Sequence, residues 1–452
     1  MIYYLTLSTA PVGITSYAVS DYDTVLFVKN NNPFTIVLTK IELDDRLCLP
    51  LSPTIIFSGI EKKITCGSIS QHQEKVISYS LLIEYTDKET GAEYRQEDSQ
   101  FILSSDVSTK YLSQLSANQY WGMEQNGCWN TTVTPHPLCT CVDLDKVKTN
   151  STTLSWDYEV QNHIDFNRCD DWFGSDYVTG TGWTPIGNWT DPFIGNFDGN
   201  NNVITGLFIN RNSPNQGLFG SVYDPAIIRD MSLASVDITG GYYVGGLAGE
   251  GYTANIHNSY ISGTVSGTNG VGGLVGYGSY GEITNSYSFV SVNGTVDVGG
   301  LLGVGISANV TGSYSTGSVV GTDDVGGLVG IGDLARIISS HATGNVVGNS
   351  HVGSLVGVGD SISVMESYAT GSVSGTSYVG GLVGDAVTGM ISNSYATGLV
   401  SCTTQYCGGL IGYYTAGSIT GKNTWINNSD DASGCIGQPG TTAGTGIANC
   451  SP

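Results

Sequence analysis

The chain has 452 residues, too many for one ordinary hydrophobic core, so two or three domains are expected. Its 63 glycines and only 12% charged residues set it apart from an average enzyme. A formal charge of −23, with acids in both halves and just three bases after residue 212, argues against nucleic acid and anionic membrane surfaces as partners.

The opening stretch, "MIYYLTLSTAPVGI", has neither a basic start nor a long apolar core, so it reads as neither signal peptide nor membrane helix. If the protein is exported, the export segment is expected to have been lost, and direct membrane insertion is not expected of this chain. Residues 1–105 carry strand-like runs, "DTVLFVKNN", "FTIVLTKIEL", "KVISYSLLIEYTD" and "AEYRQEDSQFIL", separated by Asn, Pro and Gly turns. They predict an Ig-like β-sandwich that Cys48 and Cys66 are placed to lock. The strand–turn–strand "VLFVKNNNPFTIVLTKIEL" ahead of this cysteine pair is similar to the globular heads of archaeal pilin-like proteins, which implies attachment or assembly. The apolar helix by which pilins polymerise is not found in this stretch.

Residues 106–138 read as a polar linker carrying Cys128, and 139–214 as an N-terminal cap joined to the first coils of a stacked array. "VDLDKVKTN" (142–150) places Val142, Leu144 and Val147 on one side of a short capping helix. Cys128, Cys139, Cys141 and Cys169 would staple the cap in one of three pairings, with Cys139 and Cys141 too close to pair with each other. The even total of 10 cysteines favours disulfides and an oxidising compartment. Zinc would want paired C-x-x-C knuckles, which are absent. Acceptors for N-glycosylation at Asn130, Asn150, Asn188, Asn293, Asn309 and Asn427 agree with secretion.

Residues 215–430 repeat. "VGGLVG" and its variants begin at Val244, Val271, Val298, Val325, Val352 and Val379, each 27 residues after the last, and "CGGLIG" comes next at Cys407 after a step of 28. A period of this size signals stacked coils. Leucine occupies 247, 274, 301, 328, 355, 382 and 410; Val or Ile occupies 256, 283, 310, 337, 364 and 391; valine occupies 265, 292, 319, 346, 373 and 400. Glycine this dense would cost a helix ~1 kcal/mol at each position, and no 3.6-residue period runs through the unit. Three short strands joined by tight corners make one triangular coil, with the glycines of the motif allowing bends and close packing. The fold class is therefore all-β, a sandwich followed by a parallel β-helix of about 27 residues per coil, with right-handed crossovers. Eight coils at ~4.8 Å would make a prism nearly 40 Å long.

The unit at 379–402, "VGGLVGDAVTGMISNSYATGLVSC", resembles the GLUG repeat of microbial surface proteins. "CTCVDLDKVKTN", "DYEVQNHIDF", "GWTPIGN" and "PFIGNFDGNNNVITGLFIN" ahead of it resemble the usual entry to such arrays. The resemblance implies a right-handed β-helix on a secreted or surface-attached, adhesin-like protein. Some members of the family are zinc peptidases that cut immunoglobulin A, but their His-Glu-x-x-His signature occurs nowhere here.

Tyr260, Tyr287, Tyr314, Tyr368 and Tyr395 share one column, with His341 on the remaining rung and a serine before each. Facing outward, they would stack on sugar rings or apolar patches; facing one another, they would only brace the coil. Strand parity with Ile283 turns Tyr287 inward unless the chain bends at Asn285. Thr316, Thr343, Thr370 and Thr397 form a second ladder that reads as soluble corner turns. Asp333 and Asp360 could share a calcium ion, although neighbouring coils offer no matching acid; no other cofactor is indicated. The adjacent Asp323 and Asp324 read as a solvated corner pair.

At the far end, Cys402 and Cys407 are placed to pin the last coil, and Cys435 and Cys450 to close the tail, 431–452. The reading is an extracellular, non-catalytic, adhesin-like protein meeting a glycan, a cell surface or its own copies. A polysaccharide lyase or hydrolase and a structural filament subunit are the alternatives.

Overall fold

The computed structural model divides into two compact units, Met1–Asn126 and Gly127–Pro452. It describes the backbone of the strands between residues 12 and 104, then 128–166, 180–425, 435–437 and the strand Cys450–Ser451.

In the first unit the strands are β1 (Val12–Val19), β2 (Asp23–Asn30), β3 (Ile36–Leu43), β4 (Arg46–Leu49), β5 (Thr54–Ile56), β6 (Glu61–Gly67), β7 (Val76–Asp87) and β8 (Glu93–Ser104). They pair antiparallel in the order β1-β2-β6-β4-β3-β7-β8, with β5 beside β3. Cys48 stands opposite Cys66 across β4 and β6. The facing layers expected of a sandwich, and the bond between these cysteines, lie outside the described residues.

The second unit is a parallel β-solenoid. Its type coil runs through Val275–Ser279, Glu282–Thr284, Tyr287–Asn293 and Val296–Gly299. Each strand pairs with its counterpart 27 residues on, as in Val275↔Leu302, Ile283↔Val310, Tyr287↔Tyr314 and Val298↔Val325. Stacked coils build sheets of 8, 11 and 21 strands, the largest taking more than one strand from each coil. The three apolar columns point into a shared interior: every leucine from Leu247 to Leu410 in the motif column is at most 1% exposed. Adjacent layers are tied by the Leu274 N–H donating to the Leu301 carbonyl at 2.9 Å and the Leu301 N–H to that of Leu328 at 2.9 Å. Burying such a side chain is worth about 1.5–3 kcal/mol, and a lone coil has nothing to bury it against.

The division of labour at the corners differs from expectation. Most left-handed positions fall on other residues, among them Tyr280 (φ 58°), Asn285 (48°) and Asp297 (58°). The motif's glycines instead permit close approach. A Cβ on Gly299 would lie 2.0 Å from the Leu302 carbonyl oxygen, and one on Gly300 2.0 Å from that of Gly327. Their strands run too tightly against neighbouring backbone to admit any side chain.

The serine before each ladder tyrosine proves to be a structural part. Ser259, Ser286, Ser313, Ser340, Ser367 and Ser394 are all 0% exposed. Each hydroxyl donates to the carbonyl two residues back, as Ser340 does to Ile338 at 2.8 Å. Within the series a hydroxyl also accepts the serine N–H of the preceding coil, as Ser340 does from Ser313 at 3.2 Å. Asn423 ends the series, its Oδ1 accepting the Ser394 N–H at 2.9 Å and its amide donating to the Thr420 carbonyl at 2.8 Å.

Both ends are covered, as an open stack of strand edges requires. The solenoid starts within the expected linker, where His136–Leu138 is already a strand. The helix α1 (Cys141–Val147) comes next, with Thr140 as its N-cap and Cys141, Leu144 and Val147 buried. Val142 is only half-buried, so the covered side is the three-residue series from Cys141. Cys128 is bonded to Cys139 and not to Cys141; Cys141 and Cys435 are disulfide-bonded as well. Phe193, Phe197 and Phe219 fill the first coils, with Phe193 and Phe197 each 5.1 Å from Phe219 between ring centroids.

At the other end Cys402 and Cys407 are joined, as expected. Gly375 pairs with Cys402 but Ser377 with Gln405, so the extra residue of the 28-residue step is absorbed as a bulge that this bond spans. The Leu410 N–H then donates to the Cys435 carbonyl at 3.0 Å, which adds the tail as one more layer.

Candidate functional site: a crease along the coil edge

The residue just before each motif valine has left-handed backbone. The series runs Asn215 (φ 56°), Tyr243 (54°), Gly270 (63°), Asp297 (58°), Asp324 (58°), His351 (53°), Tyr378 (56°) and Tyr406 (62°). At this corner the chain folds back over the strand that comes after the motif leucine. A Cβ on Gly357 would lie 2.7 Å from the Asp324 carbonyl carbon, and one on Gly384 2.7 Å from that of His351, so glycine is what lets the corner close.

Corner side chains thereby meet strand side chains of the next coil. The Asn215 amide donates to Glu250 at 2.7 Å, the rings of Tyr243 and Tyr277 lie 4.9 Å apart, His351 Nε2 is 4.0 Å from Asp385 Oδ2, and Tyr378 is 5.5 Å from Tyr413. These residues are half-buried. Together they line a crease that crosses successive coils.

The titratable groups in the middle of the crease bind protons more tightly than they would in water. Asn269 donates to Asp297 Oδ2 at 2.9 Å. Burial, followed by the like charge of Asp324, pushes the Asp297 carboxyl up to about 6. Asp324 accepts from His351 Nδ1 at 2.9 Å, and this bond holds the imidazole above its ordinary value although burial opposes it. Burial also raises Asp385, with His351 pulling the other way; its Oδ1 is buried and accepts no hydrogen bond. Asp323 and Asp324 are thus no solvated pair, because Asp324 turns into the crease.

These shifts set the sign of the pH dependence. A carboxyl that holds its proton more tightly when folded penalises the fold as pH rises from its ordinary 3.8 to about 6. The raised His351 contributes stability below its unfolded pKa and loses it as pH rises through the folded one. Both favour the acid side of neutrality. Asp297→Asn keeps an acceptor for Asn269 and offers Asp324 a donor. It is expected to stabilise by about 1 kcal/mol at pH 8 and to be neutral at pH 4, read from urea midpoints.

With the geometry in place, the chain can be set beside known proteins. The GLUG motif matches residues 240–266 and 375–401, two stretches of the same stacked coils. The solenoid is a GLUG-repeat β-helix. Halomucin of Haloquadratum walsbyi is 32% identical over 143 residues, which are 31% of this chain and 2% of halomucin. A putative Gly-rich membrane protein of Evansella cellulosilytica is 38% identical over 122 residues, 26% of this chain and 13% of that protein. The matched coils therefore span a small part of either relative. A solved IgA1 protease aligns with 97% of this chain and 27% of its own, at 16% identity and a TM-score of 0.32, a likeness too slight to carry any argument. Among the described residues no helix is long and apolar enough to cross a membrane.

Elsewhere on the GLUG coils the sequence-derived candidates have plain structural surroundings. The bend at Asn285 is present and turns Tyr287 out of the core. Tyr287, Tyr314, His341, Tyr368 and Tyr395 stack in one pile at centroid spacings of 4.2, 4.7, 4.5 and 4.9 Å. Tyr260 pairs in strand register with Tyr287. Inside the pile ring faces are covered by ring faces, and Tyr314 is just 6% exposed, whereas Tyr395 at its end is 37% exposed. Burial accordingly raises the phenols of Tyr287, Tyr314 and Tyr368.

Thr343 and Thr370 donate their backbone N–H to the Ser315 and Ala342 carbonyls of the preceding coil at 2.9 and 3.0 Å. Asp333 Oδ1 accepts the Asp360 N–H at 3.2 Å, and Asp360 Oδ1 accepts the Thr388 hydroxyl at 2.7 Å, so these acids bind neighbouring coils. Among the described residues the one group of metal-ligand type is Cys128, Cys139 and Asp143, where the two sulfurs are bonded to each other.

The crease was missed in the sequence, yet it left a signal. The position before the motif valine varies among Tyr, Gly, Asp and His while the motif that follows it stays nearly fixed, and a variable column on a regular scaffold is where recognition is placed.

Proposed function

We propose that this is a cell-surface protein, adhesin-like and non-catalytic, whose GLUG β-helix forms a rigid acidic shaft that engages a glycan, another cell or a second copy along its side. The observation that carries this reading is the crease, a row of half-buried tyrosines and hydrogen-bonding groups repeated at the coil spacing. The names of its relatives, a halomucin and a membrane protein, support the surface setting. The disulfides at both ends of the solenoid support an oxidising, extracellular one.

A glycan array probed with the full chain, followed by product analysis, tests the reading. Capture without product release is expected. A blank array together with head-to-tail polymers under the electron microscope would replace it with a structural subunit. Tyr287→Ala combined with Tyr314→Ala is expected to lower the thermal midpoint, through two lost stacked rings, and to leave capture intact; capture lost from a folded variant would move recognition to the Tyr260–Tyr395 ladder.

One observation favours a polysaccharide-active enzyme as a second reading. Burial and the neighbouring Asp324 push the Asp297 carboxyl up to about 6, toward the range a general acid requires. Reducing sugar released by the chain and not by Asp297→Asn would establish it.

A further inference from the structure

We propose that the crease is a row of subsites for a linear oligosaccharide of uncharged or amine-bearing sugars, lying along the solenoid axis with about one sugar per coil. This deepens the adhesin reading and rests on it.

Ring geometry sets the crease apart from the ladder. Successive ladder rings from Tyr287 to Tyr395 lie within 24° of parallel and cover one another's faces. Crease rings are tilted or edge-on: 44° for Tyr243 and Tyr277, 37° for Tyr378 and Tyr406, 64° for Tyr378 and Tyr413, and 79° for Tyr406 and Tyr413. Tilted rings do not cover one another face to face as the ladder rings do, which suits them better to the C–H face of a sugar. They stand at both ends, Tyr243 and Tyr277 at one and Tyr378, Tyr406 and Tyr413 at the other.

Between the rings lie the groups that would bind hydroxyls. Asp297, Asp324, His351 and Asp385 supply acceptors and donors. Val304, Ile331 and Val358 occupy the strand positions of the middle rungs and give an apolar floor. Gly270 leaves a notch over which Tyr243 leans, since a Cβ there would lie 2.6 Å from Tyr243 Cδ1.

Charge narrows the ligand. The bases after residue 212 are Arg229, Arg336 and Lys422, and none belongs to the row. A uronate chain would meet Asp297, Asp324 and Asp385 and no lysine or arginine, with His351 already bonded to Asp324. Spacing narrows it further: the rungs repeat at ~4.8 Å, and a β-linked pyranose chain advances by nearly the same step. No three metal-ligand atoms converge here among the described residues, so recognition through a bound cation is not supported.

Titration calorimetry of the full chain with hexamers of β-1,4-linked glucose, N-acetylglucosamine, glucosamine and mannuronate tests this. At least one of the first three is expected to bind, and mannuronate is not. Tyr378→Ala should weaken binding about tenfold, as loss of an aromatic anchor does, in a variant whose circular dichroism stays that of the folded chain, and Tyr378→Phe should restore it.

Preference for mannuronate, or binding indifferent to Tyr378→Ala, overturns the crease while leaving glycan capture by the shaft in place. Binding of polylysine and of no hexamer overturns it in favour of a cationic peptide. If none of the four hexamers binds, the crease proposal fails; the adhesin reading falls with it only when the broad array is blank as well.

Discussion

Gly353→Ala is expected to break the coil around it, whereas Gly332→Ala is expected to be tolerated. A Cβ on Gly353 would lie 1.8 Å from the Val356 carbonyl oxygen and 2.7 Å from the Gly384 nitrogen, and both are backbone atoms held by the stack. A Cβ on Gly332 would meet the Ile362 Cδ1 at 3.0 Å and the Ala335 Cβ at 3.5 Å, where a side-chain end can move. The first change sits at or beyond the upper end of overpacking costs, about 3 kcal/mol or more. Because each coil is stabilised through its neighbours, the damage should be local. Urea denaturation is expected to split into two transitions for Gly353→Ala and stay single for Gly332→Ala, with limited proteolysis opening near residue 353 in the former.

Ser340→Ala should cost about 2–3 kcal/mol, a large loss for the removal of one buried oxygen. The hydroxyl donates to Ile338 at 2.8 Å and accepts from the Ser313 N–H at 3.2 Å; its removal orphans the Ser313 N–H inside a closely packed corner, while the Ile338 carbonyl keeps the Gly312 N–H at 3.0 Å. Ser315→Ala is the natural control. Ser315 Oγ is equally buried but makes no hydrogen bond, and its partner in the next coil is already Ala342. That variant is expected to be neutral or stabilising by up to ~1 kcal/mol in the same urea experiment. Two equally buried serines of adjacent coils thus carry opposite predictions.

The solenoid was legible because stacking turns a one-dimensional period into a spatial column. Leu274 above Leu301, Ile283 above Val310 and Val292 above Val319 are set by the 27-residue interval alone. Local backbone choices were less legible. Strand parity placed Tyr287 inward, and only the left-handed Asn285 reverses it. Glycine suggested the bends, but Tyr, Asp and His carry them at the crease, where hydrogen bonds and ring contacts hold the corner.

The crease itself joins residues 34 or 35 positions apart, such as Tyr243 with Tyr277 and Tyr378 with Tyr413. That interval is not the repeat, so column alignment cannot show it. It comes from the fold-back of one corner over a strand of the next coil. The 28-residue last step was visible as a spacing, but its absorption beside Cys402 depends on where the parallel register slips.

The central claim is that one coil advances the stack by one strand spacing and returns each column to the same place. Nitroxide labels at Asn293 and Ser401, on an exposed column paired through Val320, Val347 and Ser374, test it by electron–electron dipolar spectroscopy. Four coil steps predict a separation of ~19 Å, and moving one label to Ser374 should shorten it by ~5 Å. A separation well above ~30 Å, or one that does not change with the number of coils between the labels, would contradict the stacked solenoid.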